Sequence, residues 1–217
     1  MNGYMKYQAL IPVKSLSSAK SRLASNLPQN QRETLVLDML HHVLSVLLES
    51  ELFEQVSVVS ADGRVLEQAQ LWGAQALIEE QHGHNPALHA ATLRTHAVGI
   101  PFAGTLSEAL LTISADLPLL TTQEIRCFLE QPTEHEVVLA PARDGTGTNA
   151  ILVRPPLIVP YAFGPNSLHR YVEAARQRRL NYKIYYSTGL AFDIDTIEDL
   201  HRLEALNRNI KEIVYGC

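Results

Sequence analysis

Apolar and polar positions along this chain repeat with two periods, which alternate from end to end. Residues 7–13 read as a β-strand, whereas Val36, Leu40, Val43 and Leu47 recur at helical spacing and predict an amphipathic helix over 31–48. Pro28 stands where a helix entry tolerates proline. Strands at 56–60, 74–78 and 110–114 then alternate with helices at 64–72 and 85–96. Thr121 and Thr122 open a short helix to Leu129, Ser167 opens one to Arg178, residues 182–186 return as a strand, and Thr196 caps a last helix through Asn207. Alternation of this kind predicts an α/β layered fold. Residues 97–107, with Gly99, Pro101 and Gly104, read as a surface loop because both flanks continue the same pattern.

One break in the pattern carries chemistry of its own. Between the apolar runs Val137 to Ala140 and Ala150 to Val153 lies Asp144-Gly145-Thr146-Gly147-Thr148-Asn149. Two readings compete. Its glycines, amides and hydroxyls could converge on a phosphate or carboxylate, or Asp-Gly could simply turn a β-hairpin.

Composition narrows the classes. The chain has 217 residues, of which 46% are hydrophobic and 19% charged, enough for one soluble globular domain spanning 1–217. A net charge of −5, with its basic residues scattered, argues against nucleic acid as a partner. Cys127 and Cys217 form no metal or redox spacing. The first residues lack the apolar core of a signal peptide, and no run approaches the roughly 20 apolar residues of a membrane helix. A cytoplasmic protein without membrane contact is expected.

Two acidic positions fall where open α/β sheets bind ligands. Asp116 follows the strongly apolar strand 110–114, at the carboxyl end of what should be a central strand. Asp193 and Asp195 flank Ile194, so an extended segment turns both carboxylates to one side. Together these three suit a hard divalent ion such as Mg²⁺, with substrate oxygens and water completing its shell. The competing readings make Asp195 a helix N-cap and Asp116 a turn residue. Lys14, Lys20 and Arg22 follow the first strand in a serine-rich loop, where they could neutralise a triphosphate or form a plain solvated surface. His82, His84 and His89 lack a neighbouring carboxylate or cysteine to complete a zinc site.

These residues fall into five blocks: Ile11-Pro12-Val13-Lys14 with Ala19-Lys20-Ser21-Arg22-Leu23, Ser114-Ala115-Asp116-Leu117-Pro118-Leu119, Asp144 to Asn149, Phe163-Gly164-Pro165-Asn166-Ser167, and Leu190-Ala191-Phe192-Asp193-Ile194-Asp195-Thr196. In these blocks and their order, the chain resembles the phosphoenolpyruvate or 2-phospho-L-lactate guanylyltransferases of coenzyme F-420 biosynthesis, relatives of the molybdenum-cofactor and sugar nucleotidyltransferases. The resemblance implies a three-layer, Rossmann-like α/β fold with a mixed, mostly parallel sheet and a β-hairpin insertion. It also implies GTP and a small phosphorylated carboxylic acid as substrates, with Mg²⁺ as cofactor. Lys14, Lys20, Arg22 and Asp116 would act in catalysis, and Pro12, Val13, Lys14, Ser60 and Asn85 would contact the nucleotide. The metal would fall to Asp116, Asp193 and Asp195, and the acceptor to Thr148, Gly164 and Ser167. A helix start at Ser167 gives the acceptor site separate physical support, although Gly164 and Ser167 also suit plain helix entry. One departure stands out: Gly83-His84-Asn85 occurs where the family has Gly-Leu-Asn. Rival functions are another nucleotidyltransferase or nucleotide-sugar transferase of this fold, and a non-catalytic nucleotide-binding regulator. The tail 209–217 is left open between packing on the domain and joining a homodimer.

Overall fold

The computed structural model describes residues 7–81, 83–98 and 109–215; His82, Cys217 and most of the loop expected at 97–107 lie outside them. Seven strands form one mixed sheet: β1 (Tyr7–Pro12), β2 (Phe53–Ser60), β3 (Gln75–Ile78), β4 (Ala109–Ile113), β5 (Val137–Pro141), β6 (Thr148–Val153) and β7 (Tyr182–Ile184). Their order is β3-β2-β1-β4-β6-β5-β7. Strand β6 runs antiparallel to both β4 and β5, while the other pairings are parallel. The hairpin expected around Asp144 is therefore present as β5 and β6.

Among the described residues seven α-helices accompany the sheet: α1 (Gln29–Glu49), α2 (Gly63–Leu71), α3 (His84–Val98), α4 (Thr122–Leu129), α5 (Ser167–Gln177), α6 (Thr188–Ala191) and α7 (Ile197–Tyr215). Side-chain alternation along the strands divides the core. Ala9, Ile11, Leu111, Ile113 and Leu152 face α1, α2 and α4, whereas Leu10, Leu110, Leu139 and Ile151 face α3 and α5. Strand β4 is buried along its full length, as expected of a strand covered on both faces.

Two elements differ from the sequence-based reading. Helix α7 runs past Asn207 to Tyr215, because no glycine or proline interrupts the chain between Gly189 and Gly216. Strand β7 stops at Ile184, and Ser187 then opens the short α6 by accepting from the Leu190 amide.

Chain order sets where a cleft forms. From β1 the chain first builds β2 and β3 on one side, then crosses to place β4 on the other. The order in which strands are added thus reverses between the parallel neighbours β1 and β4, and the connections leaving those two strands splay apart at their carboxyl ends.

Candidate active site

At that point lies a cleft of about 1180 Å³, walled by the residues after β1, after β4, around the β5-β6 turn and before α5 and α7. The basic loop forms one wall. Two 3₁₀ turns, Leu16–Ser18 and Ser21–Leu23, fold it back on itself, and Leu16 and Leu23 anchor it in the core. Asp62, the N-cap of α2, also accepts from the Leu16 amide at 3.0 Å, and Arg32 of α1 donates to the Ala19 carbonyl at 2.9 Å.

Lys20 takes the left-handed conformation, with φ of 50°, and its ammonium turns inward. It donates to Asp116 and, at 3.1 Å, to Asp195. Only 9% of its side chain is exposed, so it is a buried countercharge rather than a solvated one. Burial alone would lower the Lys20 pKa, but the adjacent Asp116 and Asp195 carboxylates outweigh it and hold the ammonium protonated above its usual range. Arg22 reaches Asp195 at 3.1 Å from a side chain 72% exposed, at the mouth of the cleft. Lys14 also lines the cleft and is exposed.

The acidic side is assembled by main chain. Ile194 donates its amide to the Asp116 carbonyl at 3.3 Å, drawing the 193–195 segment alongside the end of β4. Phe192 and Ile194 are buried beneath it, so Asp193 and Asp195 both turn to the other side, as the alternation predicts. Burial first, and then the nearby Asp116 charge, raises the Asp193 pKa. Asn149 steadies Asp193, donating to its Oδ1 at 3.3 Å and to the Leu190 carbonyl at 3.0 Å.

The three carboxylates are not gathered around one point. Among the described residues no group of three or more His, Cys, Asp or Glu side chains is placed to hold a metal ion. Asp195 is instead committed to Lys20 and Arg22. It does not cap α7 with its side chain either; Asp199 does that work, accepting from the Asp195 and Thr196 amides at 3.0 and 2.8 Å and from the Thr196 hydroxyl at 3.0 Å.

The glycine-threonine loop resolves its two readings in an unexpected way. Asp144 bends over its own turn: Oδ1 accepts from the Thr146 and Gly147 amides at 2.8 and 3.0 Å, and Oδ2 from the Thr146 hydroxyl at 2.7 Å. The Gly147 and Thr146 amides, with that hydroxyl, hold the Asp144 carboxyl below its ordinary range. The loop does gather donors around an anion, but the anion is its own side chain. Asp144, Thr146, Gly147, Thr148 and Asn149 all line the cleft, and the Thr148 hydroxyl accepts from Ser167 Oγ at 3.1 Å.

Ser167 begins α5 as expected, and Gly164 precedes it at φ +114°, where a side chain would be strained. Leu168 donates to the Thr146 carbonyl at 3.1 Å and fastens α5 to the hairpin. Thr148, Gly164 and Ser167 thus all line the cleft, and Ser167 is joined to Thr148 by a hydrogen bond and to Gly164 through its amide.

Pro12 and Val13 line the cleft, but Ser60 and Asn85 do not. Ser60 is buried at the end of β2, where its hydroxyl accepts from the Asp62 amide at 3.1 Å. Asn85 turns to the main chain of Phe163 instead. Conversely, Arg143 and Asp199 line the cleft without having been singled out from sequence. Arg143 pairs with Asp199 and lies over the Phe192 ring at 4.9 Å. Burial opposes ionisation of Asp199, but Arg143 and the three donors at the start of α7 hold its pKa at about 2. The spacing Thr196-x-x-Asp199 is a helix-start signal that could have revealed it.

Comparison with known proteins agrees with this geometry. The chain is 40% identical over 195 residues to phosphoenolpyruvate guanylyltransferase of Sphaerobacter thermophilus, covering 90% of this chain and 91% of that one. It is 34% identical over 197 residues to 2-phospho-L-lactate guanylyltransferase of Methanothermobacter thermautotrophicus, covering 90% and 83%. A solved structure from Desulfovibrio desulfuricans G20, provisionally described as a nucleotide-diphospho-sugar transferase, superposes with a TM-score of 0.75 over 95% of this chain and 89% of its own. At 18% identity that likeness concerns the fold. The family model described as guanylyl transferase CofC like matches residues 7–209, and the chain belongs to that family.

Proposed function

We propose that this chain transfers the guanylyl group of GTP to the phosphate of a small phosphorylated acid, phosphoenolpyruvate or 2-phospho-L-lactate, with release of pyrophosphate. The observation that carries the reading is one cleft lined by two chemically distinct sets of residues, the charged Lys14, Lys20, Arg22 and Asp116 and the uncharged Thr148, Gly164 and Ser167, taken in this reading as its two walls. Two anionic substrates must meet there, and the two walls differ in the chemistry each needs.

Pro12, Val13 and Lys14 would flank the nucleotide, with Lys14 and Arg22 turned to its phosphates. The acceptor phosphate attacks the α-phosphorus in line; the new P–O bond forms as the bond to the β-phosphate oxygen breaks, and its electrons leave with pyrophosphate. A phosphomonoester with a second pKa of about 6 is already largely a dianion at neutral pH, so no general base is needed. Catalysis then rests on alignment and charge neutralisation. The hydroxyls of Thr148 and Ser167 orient the acceptor without adding charge that would compete for the triphosphate.

The donor set suits a hard cation of the Mg²⁺ type, held by Asp116 and Asp193 with substrate oxygens and water completing its shell. When bound, such an ion supplies positive charge to the phosphates and the leaving pyrophosphate. Lys20 already neutralises part of the acidic cluster, donating to both Asp116 and Asp195.

A pyrophosphate-release assay crossing GTP, ATP and CTP with phosphoenolpyruvate, 2-phospho-L-lactate and 3-phosphoglycerate, with and without Mg²⁺, tests the reading. We expect release only when GTP, an acceptor and the ion are all present, with a mass matching the diphospho-5'-guanosine adduct. GTP binding without any release in the matrix would mark a nucleotide-binding regulator instead.

A further inference from the structure

The one amide side chain at the start of α3 does something other than face the nucleotide. Asn85 accepts from the Phe163 amide at 2.9 Å and donates to the Phe163 carbonyl at 3.1 Å, closing a two-way clamp across 78 positions of sequence. Arg170 of α5 donates to the same carbonyl at 3.1 Å. The Phe163 ring is enclosed as well, edge-to-face against His84 at 5.6 Å and Tyr171 at 5.5 Å, and stacked on Tyr161 at 6.1 Å.

Phe163 is the residue before Gly164, whose carbonyl accepts from the Ser167 amide at 3.1 Å. Fixing the Phe163 peptide therefore fixes the entry angle of Gly164 and, through it, the Ser167 hydroxyl. Both amide atoms of Asn85 are used in this clamp, and its side chain does not line the cleft, although its neighbour His84 does. We propose that Asn85 is a positioning residue for the acceptor wall, acting through the main chain of Phe163, and not a contact to the guanine base or ribose. The inference rests on the reading that Gly164 and Ser167 serve the acceptor. It also supplies a physical link between the start of α3 and the acceptor wall, so that loss of the clamp loosens one substrate's site and spares the other's.

Asn85→Ala removes both bonds, and Asn85→Asp keeps the acceptor oxygen while losing the donor to the Phe163 carbonyl. For Asn85→Ala we expect the KM of phosphoenolpyruvate to rise about tenfold, from the loss of a pre-set loop, with the KM of GTP within about twofold of the parent. Asn85→Asp should fall between them. Amide hydrogen exchange over residues 163–168 should quicken in both variants while exchange in β1 and β4 is unchanged. A rise in the GTP KM equal to or larger than that of phosphoenolpyruvate, or unaltered exchange at 163–168, overturns the proposal. If the parent releases no pyrophosphate with any acceptor, the proposed function fails, and the exchange measurement alone decides whether the clamp exists. If Asn85→Ala does not fold, Asn85→Asp decides by the same two measurements.

Discussion

Asp116 meets the buried ammonium of Lys20 on one side and adds to the crowding that raises the Asp193 pKa on the other. Its neutral isostere should therefore leave the fold standing, since Asp195 still partners Lys20 and the pressure on Asp193 is relieved. We expect Asp116→Asn to lower pyrophosphate release by about a hundredfold or more with little change in melting temperature. Release near the parent rate would remove Asp116 from the chemistry. The neutral wall is probed separately: Thr148→Val and Ser167→Ala should each raise the KM of phosphoenolpyruvate more than that of GTP, because each deletes a hydroxyl that a buried polar substrate would otherwise meet. Equal effects on both substrates would argue against two distinct walls. Sequence pattern singled out Asp116 and Ser167 because a strand-end acid and a helix-start serine advertise themselves locally, whereas Thr148 was marked by family resemblance. It could not reveal that Asp144 is consumed by its own loop, or that both Asn85 amide atoms are taken by Phe163, because those partners depend on rotamers and on contacts distant in sequence.

At the scale of elements, the short helix α6 links the capping of one helix to the placement of the acidic pair. Glu124 closes the capping box of α4 with Thr121, and its other oxygen accepts from the Ser187 hydroxyl and, at 2.7 Å, from the Gly189 amide. The segment 187–191 is thus pinned immediately before Asp193. A methyl group on Gly189 would stand 2.5 Å from the Leu119 carbonyl oxygen and press on the Glu124 carboxylate. Main chain cannot yield as a side-chain tip can, so Gly189→Ala should cost about 2 kcal/mol or more in urea unfolding and reduce activity by displacing Asp193. An unchanged unfolding midpoint would show that α6 is free to shift. This helix left no periodic trace for sequence reading, since four residues are too few to display one. Helix α5 and the β5-β6 hairpin were legible because each carries its own start or turn chemistry, at Ser167 and Asp144.

Across the whole molecule, the alternation of strands and helices foretold a layered sheet, but not the strand order. That order depends on which apolar faces find each other, and local pattern is silent about it. The reversal between β1 and β4 brings residues as distant as Lys20 and Asp195 into contact, and that contact has a consequence for handling the protein without divalent ions. Lys20 acts as a built-in counterion, so the acidic cluster does not require an external one to remain folded. We expect a chelator to shift the parent's melting temperature by less than about 1 °C. Lys20→Met, which leaves Asp116, Asp193 and Asp195 to repel one another, should lose several degrees on the same treatment. A parent as chelator-sensitive as the variant would mean that the lysine does not play this part. With Lys20 in that role, a single buried side chain insures the cleft against ion depletion.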